Sequence, residues 1–227
     1  MLKRLICLAL LACCSAAHAD NVSRWVEGTH YFRLEPAQPT STAGKVEVLE
    51  VFSYACPACN LFEPTLNQLK AALPPQARMA YLPAGFNPPE DWPVFQRAFL
   101  AAQTLNVAEQ SHDAMYDAIW GSGSLATFDK TTGHPLPQDK QPTIADVANF
   151  YTRYGVKKQD FLATANSFAV DSLIRRSDAQ MLADQVASTP TLIVNGKYRL
   201  TPNSAGGYAQ TIELVRYLVE RELAGAK

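Results

Sequence analysis

The strongest pattern in the chain is an uninterrupted apolar run, Val46 to Phe52, that passes at once into helical spacing. Val, Leu and Phe dominate the run and no turn residue breaks it, which predicts a buried strand. From Pro57 onward Phe62, Leu66, Leu69 and Leu73 recur at intervals of four, three and four, one apolar helical face. Pro57 suits the first helical position because its φ is already set and no N–H is needed there. Pro64 lies inside the predicted helix and should kink it by removing one ladder bond.

The rest of the chain follows in the same two periods. Tyr31 to Leu34 predicts an edge strand, followed by a Pro/Thr/Ser/Gly-rich loop from Pro36 to Gly44. Arg78 to Leu82 predicts a second interior strand, so strand, helix and strand form a right-handed crossover with a parallel pair. From Asp91 to about Val186 the pattern is helical. Trp92, Phe95, Phe99 and Ala102 mark one helix, and Met115, Ile119 and Trp120, ended by Gly121, mark another. Ile144, Val147, Tyr151 and Tyr154 mark a third, with Thr143 as its cap and Gly155 as its stop. A fourth runs from Val170 to about Val186, while Gly121 to Pro142 reads as a long loop. These aromatics at helical spacing are core rather than a cofactor pocket. Two short runs, Thr191 to Val194 and Lys197 to Leu200, flank Asn195-Gly196, a hairpin signal. A last helix presents Tyr208, Ile212, Val215 and Val219. The expected fold class is α/β, with a helical module inserted into a small sheet domain.

Composition changes this picture in one respect. With 227 residues, 48% apolar and 18% charged, the chain has material for one large or two small cores, and a net charge of -1 offers no footprint for nucleic acid. Residues 1–19 read instead as a signal peptide: Lys3 and Arg4, an apolar stretch from Leu5 to Ala12, then Ala17-His18-Ala19 as a cleavage site. The apolar stretch is shorter than the ~20 residues a spanning helix needs. The exported chain would begin near Asp20 in the periplasm, where a stable disulfide is permitted. A second reading takes Leu10-Leu11-Ala12-Cys13 as a lipoprotein box that would leave Cys13 acylated. In the first reading Cys7, Cys13 and Cys14 are lost with the signal and only the Cys56/Cys59 pair remains for chemistry.

Those two cysteines sit where strand meets helix, in Ser53-Tyr54-Ala55-Cys56-Pro57-Ala58-Cys59. Unpaired backbone N–H groups and the positive end of the helix dipole converge on the Cys56 sulfur and favour its thiolate. The free-thiol pKa of ~8.5 is lowered in such settings. A zinc knuckle would need two more ligands, and only His30, His112 and His134 remain in the exported chain. A passive staple across so short a gap would constrain the unfolded chain little. The pair therefore predicts dithiol/disulfide exchange, with Cys56 as an exposed nucleophile and Cys59 as the resolving thiol one turn inside. No metal and no cofactor beyond the redox-active Cys56–Cys59 disulfide is implied. Glu50 shares strand parity with Val46, Val48 and Phe52. Two readings stand: a glutamate reaching solvent at the sheet end, or a desolvated acid placed to relay a proton to the resolving thiol.

Taken together, Phe52 to Cys59, Thr189-Pro190 before a strand, and Asn195-Gly196-Lys197-Tyr198 resemble the DsbA-type thiol:disulfide oxidoreductases of the bacterial periplasm. The resemblance runs from about Tyr31 to Glu222. It implies a thioredoxin-like fold with an inserted helical domain, divided as 20–85, 86–168 and 169–227. It implies that Pro190 is cis and faces the cysteine pair, with Thr189 offering its backbone to an extended substrate segment. Glu50 falls where the family carries an acidic residue. The implied function is the introduction of disulfides into reduced or unfolded exported proteins, with a DsbB-type membrane re-oxidase as partner.

Three departures are visible: Ala58 where strongly oxidising members often have His, Thr189 where Val is common, and a short Thr201–Gly207 loop that bears on re-oxidase docking. The alternatives are a reductase or isomerase kept reduced by a DsbD-type partner, or a non-catalytic copper-binding or holdase module. No separate dimerisation domain precedes the sheet, and no Met- or His-rich stretch favours copper.

Overall fold

The computed structural model describes residues 24–225, so the signal-peptide and Cys13 readings lie outside the described residues. Five strands form one sheet in the order β1-β5-β4-β2-β3. β2 (Val46–Phe52) is its centre, buried along its whole length. It pairs in parallel with β3 (Ala77–Pro83) through α1 (Pro57–Ala72), and antiparallel with β4 (Thr191–Val194). β3 is an edge strand, which corrects the expectation of a second interior one: β4 takes the other side of β2, and no strand pairs with β3 beyond it among the described residues. β4 and β5 (Tyr198–Leu200) make the predicted hairpin. Asn195 and Gly196 adopt φ of 53° and 64°, and a Cβ at Gly196 would overlap the Gln38 carbonyl oxygen. β1 is shorter than the periodicity implies, Phe32–Arg33, and pairs with β5 at the sheet edge.

Between β3 and β4 stand α2 (Trp92–Thr104), α3 (Ala108–Tyr116), α4 (Ile144–Tyr151), α5 (Lys158–Ala165) and α6 (Phe168–Ala183). Thr143 forms a reciprocal capping box with Asp146, and Gly155 closes the segment in the left-handed region. The marker residues Ile119 and Trp120 belong to a π turn, Asp117–Gly121, that continues α3. α5 carries no legible apolar stripe, since only Phe161 and Ala165 are buried on it. α6 begins at Phe168 because Ser167 caps it through the Val170 N–H. α1 continues through Pro64 to Ala72. After β5 come α7 (Pro202–Ala205) and α8 (Tyr208–Gly225). α8 buries Thr211, Leu214, Val215, Leu218 and Val219. Its inner face is thus rotated from the predicted one, and Tyr208 is exposed.

Two cores result, one on each face of the sheet. Val46, Val48, Leu192 and Val194 meet α1 and α8 on one side. Leu49, Val51, Phe52 and Ile193 meet α2, α3 and the remaining inserted helices on the other. The strand end at Phe52, packed on the side of the inserted helices, carries the chain out to the cysteine pair.

Candidate active site

β2 ends in Ser53 and Tyr54, and the inserted helices hold this exit in place. The Trp120 indole N–H donates to the Tyr54 carbonyl at 2.8 Å, and the Tyr54 hydroxyl lies 2.9 Å from His112 Nδ1. Cys56 is the N-cap of α1, with extended φ and ψ of -80° and 119°, and Pro57 follows inside the first turn. Its Sγ accepts the Cys59 N–H at 3.4 Å, an orphan donor of the helix start.

On the opposite side the Thr189–Pro190 peptide is cis. The Thr189 hydroxyl donates to Cys56 Sγ at 3.2 Å, and the Thr189 carbonyl lies 3.7 Å from the same sulfur. The two sulfurs are not joined in a disulfide. Cys56 is only 5% exposed, which corrects the expectation of an exposed nucleophile. The Thr189-Pro190 turn covers the sulfur, so an attacking group must approach past that turn. Cys59 is 0% exposed.

The electrostatics separate the two thiols. Cys56 is held down to about 6, first by the hydrogen bond from the Cys59 thiol, then by the Thr189 hydroxyl and the Cys59 and Ala58 backbone N–H groups, against burial. Burial, together with Cys56 and Glu50, pushes Cys59 up. Glu50 is fully buried, and neither carboxylate oxygen has a hydrogen-bond partner among the described residues. The solvent-reaching alternative for Glu50 is thereby corrected. Burial raises its pKa well above the ordinary range, with Glu63 and Cys56 adding to the effect.

Two contributors have little signal in the sequence. The family resemblance gives Thr189 only a backbone role, and nothing local announces that its hydroxyl meets a sulfur 133 positions away in the chain. Glu63, buried in α1, has Oε2 3.6 Å from His112 Nε2 and takes an Asn67 amide N–H at 3.2 Å. The available signal was an acid beside the apolar Phe62/Leu66 stripe, and a histidine in helical phase with Met115 and Ile119.

The Thr189 bond carries a direct test. Thr189→Val keeps the shape and removes the donor, so the Cys56 pKa is expected to rise by about one unit. The pH dependence of iodoacetamide alkylation of the reduced protein measures it. An unmoved midpoint would show that the hydroxyl does not stabilise the thiolate.

A cysteine capping a helix at the end of a central strand, its partner one turn inside and a cis-proline turn against its sulfur, defines a thioredoxin-fold dithiol oxidoreductase. The comparisons with known proteins agree. A family model described as thioredoxin matches residues 41–214. The thiol:disulfide interchange protein DsbA of Pseudomonas aeruginosa is 36% identical over 230 residues, covering 100% of both chains. DsbA of Pseudomonas syringae pv. tomato is 35% identical over 228 residues, covering 100% of this chain and 99% of that protein.

Among solved structures, P. aeruginosa DsbA superposes with a TM-score of 0.73 at 35% identity, over 89% of this chain and 96% of that one. The oxidoreductase DsbA from Xylella fastidiosa gives 0.76 at 34% identity, over 88% and 98%. The chain belongs to the DsbA family of thiol:disulfide interchange proteins and has the thioredoxin-like fold of that family.

Proposed function

We propose that this enzyme works as an oxidase of exported proteins in the periplasm, with the Cys56–Cys59 disulfide as its only redox group. A thiolate of the reduced client attacks Cys56 Sγ, the Cys56–Cys59 bond breaks, and the electron pair leaves on Cys59. Glu50, protonated by virtue of its burial, supplies the proton that Cys59 takes up. The client's second thiolate then attacks its own sulfur in the mixed disulfide and Cys56 leaves as a thiolate. The client gains one disulfide and the enzyme is left as a dithiol, for a DsbB-type membrane partner to re-oxidise. In this scheme Thr189 and Pro190 bind the client backbone, while Pro57 and Ala58 form the turn that aims the helix mouth. Residues 86–168 act as the inserted helical domain, between the 20–85 and 169–227 parts of the thioredoxin-like domain.

One observation carries the direction of transfer: the donors gathered on Cys56 Sγ act only on its thiolate, so they favour the reduced enzyme over the disulfide. With Cys56 held at about 6, the thiolate at pH 7 contributes about 1.4 kcal/mol, equivalent to about 30 mV of added oxidising power. The helix mouth therefore stays effective without a histidine at position 58. Redox equilibration with glutathione, read by intact mass, tests this. A potential well above about -270 mV, the thioredoxin value, is expected. A potential at or below it would make the chain a reductase served by a DsbD-type donor.

A further inference from the structure

The sheet has two edges of unequal character. β1 is two residues long, whereas β3 is seven, and an edge of that length is ordinarily blunted. The hydrogen-bond phase of β3 follows from its two ends. Val46 N–H donates to the Gln76 carbonyl at 2.9 Å and Ala84 N–H to the Phe52 carbonyl at 2.7 Å, with Val46 opposite Ala77 and Phe52 opposite Pro83. In a parallel ladder of that phase the even-numbered residues of β3 turn their backbone groups to β2. The odd-numbered ones face outward. Two of these are already used: Ala77 N–H donates to the Pro74 carbonyl at 2.9 Å, and the Pro83 carbonyl accepts the Gln96 amide N–H at 3.1 Å. Met79 and Tyr81 remain, each with an outward N–H and C=O that have no partner among the described residues.

Space is available beside them. A groove of about 580 Å³ is lined by Met79, Tyr81, Lys45, Arg78 and Glu109, on the side of the α2–α3 junction. A second, of about 230 Å³, shares those five residues and adds Lys70 near the end of α1. A strand laid along β3 would drop alternate side chains into the two grooves. Arg78 is paired with Glu109 at 3.3 Å. Lys45 and Lys70 are exposed and have no ion pair among the described residues, so the grooves carry unbalanced positive charge.

We propose that the free edge of β3 is a second binding site, which takes an extended acidic segment of an unfolded client polypeptide as a sixth strand beside Met79 and Tyr81. Another extended backbone is the ligand that matches donor and acceptor pairs at two-residue spacing, and the two lysines select acidic side chains. The site rests on the reading of this enzyme as an oxidase of unfolded chains. A sixth strand beside β3 would lie three strand spacings from β4, roughly 14 Å, and Lys70 stands in the last turn of α1, about 20 Å along the helix from Cys56 at its start. A single client can therefore present a cysteine to Cys56 and pair with β3 when on the order of ten residues of extended chain separate the two.

The test uses the reduced full-length exported protein and a capped, cysteine-free peptide of about eight residues that alternates Thr or Val with Glu, long enough to cover the β3 edge. Amide exchange by NMR is expected to slow about tenfold or more at Met79 and Tyr81, while Arg78 and Ala80, already in the ladder, do not change. The same peptide N-methylated at alternate residues is expected to give no protection. Lys45→Glu combined with Lys70→Glu is expected to weaken binding about tenfold.

No protection at Met79 and Tyr81 at millimolar peptide, or equal protection by the N-methylated peptide, would overturn the site. Unchanged affinity in the double variant would overturn its acidic selectivity. Protection that grows with protein concentration in the absence of peptide would assign the edge to a second copy instead. Oxidation of a short dicysteine peptide, too short to reach β3, is measured in parallel. Its failure counts against the oxidase reading, whereas loss of edge binding with that turnover intact counts against this site alone.

Discussion

Cys56→Ala is expected to lower disulfide transfer roughly ten-thousand-fold or more, the loss typical when a nucleophile is removed, whereas Cys59→Ala should stop the reaction at a covalent stage. The asymmetry follows from position. Cys56 caps α1 and gathers the donors from Thr189, Cys59 and Ala58, while Cys59 is sealed inside and held protonated. With Cys59 removed, Cys56 can still be captured by an activated client disulfide, but nothing resolves the product. A mixed disulfide should accumulate and be visible by non-reducing electrophoresis and intact mass.

Its rate of formation should rise about tenfold per pH unit below the Cys56 pKa and level off above it, with the break above the parent value of about 6 because the Cys59 thiol, the largest donor holding Cys56 down, is gone. Because this pKa is depressed, the stability it confers on the reduced protein is complete above about 9, shrinks as pH falls, and is gone below about 6. Its ceiling is about 4 kcal/mol, read as the difference in unfolding free energy between reduced and oxidised protein across that range. Equal capture by Cys56→Ala and Cys59→Ala would overturn the assignment of nucleophile and resolving thiol, and capture by Cys56→Ala alone would reverse it.

Glu50→Leu is the second large effect, and its two consequences point in opposite directions. A fully buried carboxyl without a hydrogen-bond partner among the described residues destabilises the fold, and an apolar side chain of similar volume removes that cost. The raised pKa of Glu50 fixes the sign with pH: the ionisation part of its penalty is absent below the ordinary carboxylate range and grows as pH rises toward the folded value. Urea unfolding is therefore expected to show Glu50→Leu more stable than the parent by about 1–3 kcal/mol at pH 8, with the gap narrowing toward pH 4 to what the neutral, unpaired carboxyl costs.

Transfer should slow at the same time, by about a hundredfold, the scale of a lost general acid or base. The loss should fall on the step that protonates or deprotonates Cys59, with the alkylation midpoint of Cys56 little changed. A variant that is destabilised, or that keeps full rates, would remove Glu50 from the proton path.

The central half of this molecule was legible from its residues because the signals are local. The apolar run of β2, the Pro57 helix start, the short strand Arg78 to Leu82, and the Asn195-Gly196 hairpin each act within a few positions, whereas the place of β3 at the sheet edge depends on which strands meet in space. Cys56 and Cys59 were equally plain, since the field at a helix N-terminus depends on the helix alone. Where the local signal is weak, packing decides. α5 buries two side chains and left no stripe, and α8 turned toward Leu214 and Leu218 because contact with α1 and the sheet decides which of several apolar rows goes inside.

Local spacing is enough to set the strand-helix frame and the redox pair. How that pair is tuned depends on contacts between distant elements. Covering Cys56 with the Thr189 turn, sealing Glu50 from solvent, and bringing His112 to Tyr54 and Glu63 all join residues from separate elements. Burial and hydrogen-bond geometry set those thiol and carboxyl pKa values, and both are properties of packing that no local spacing encodes.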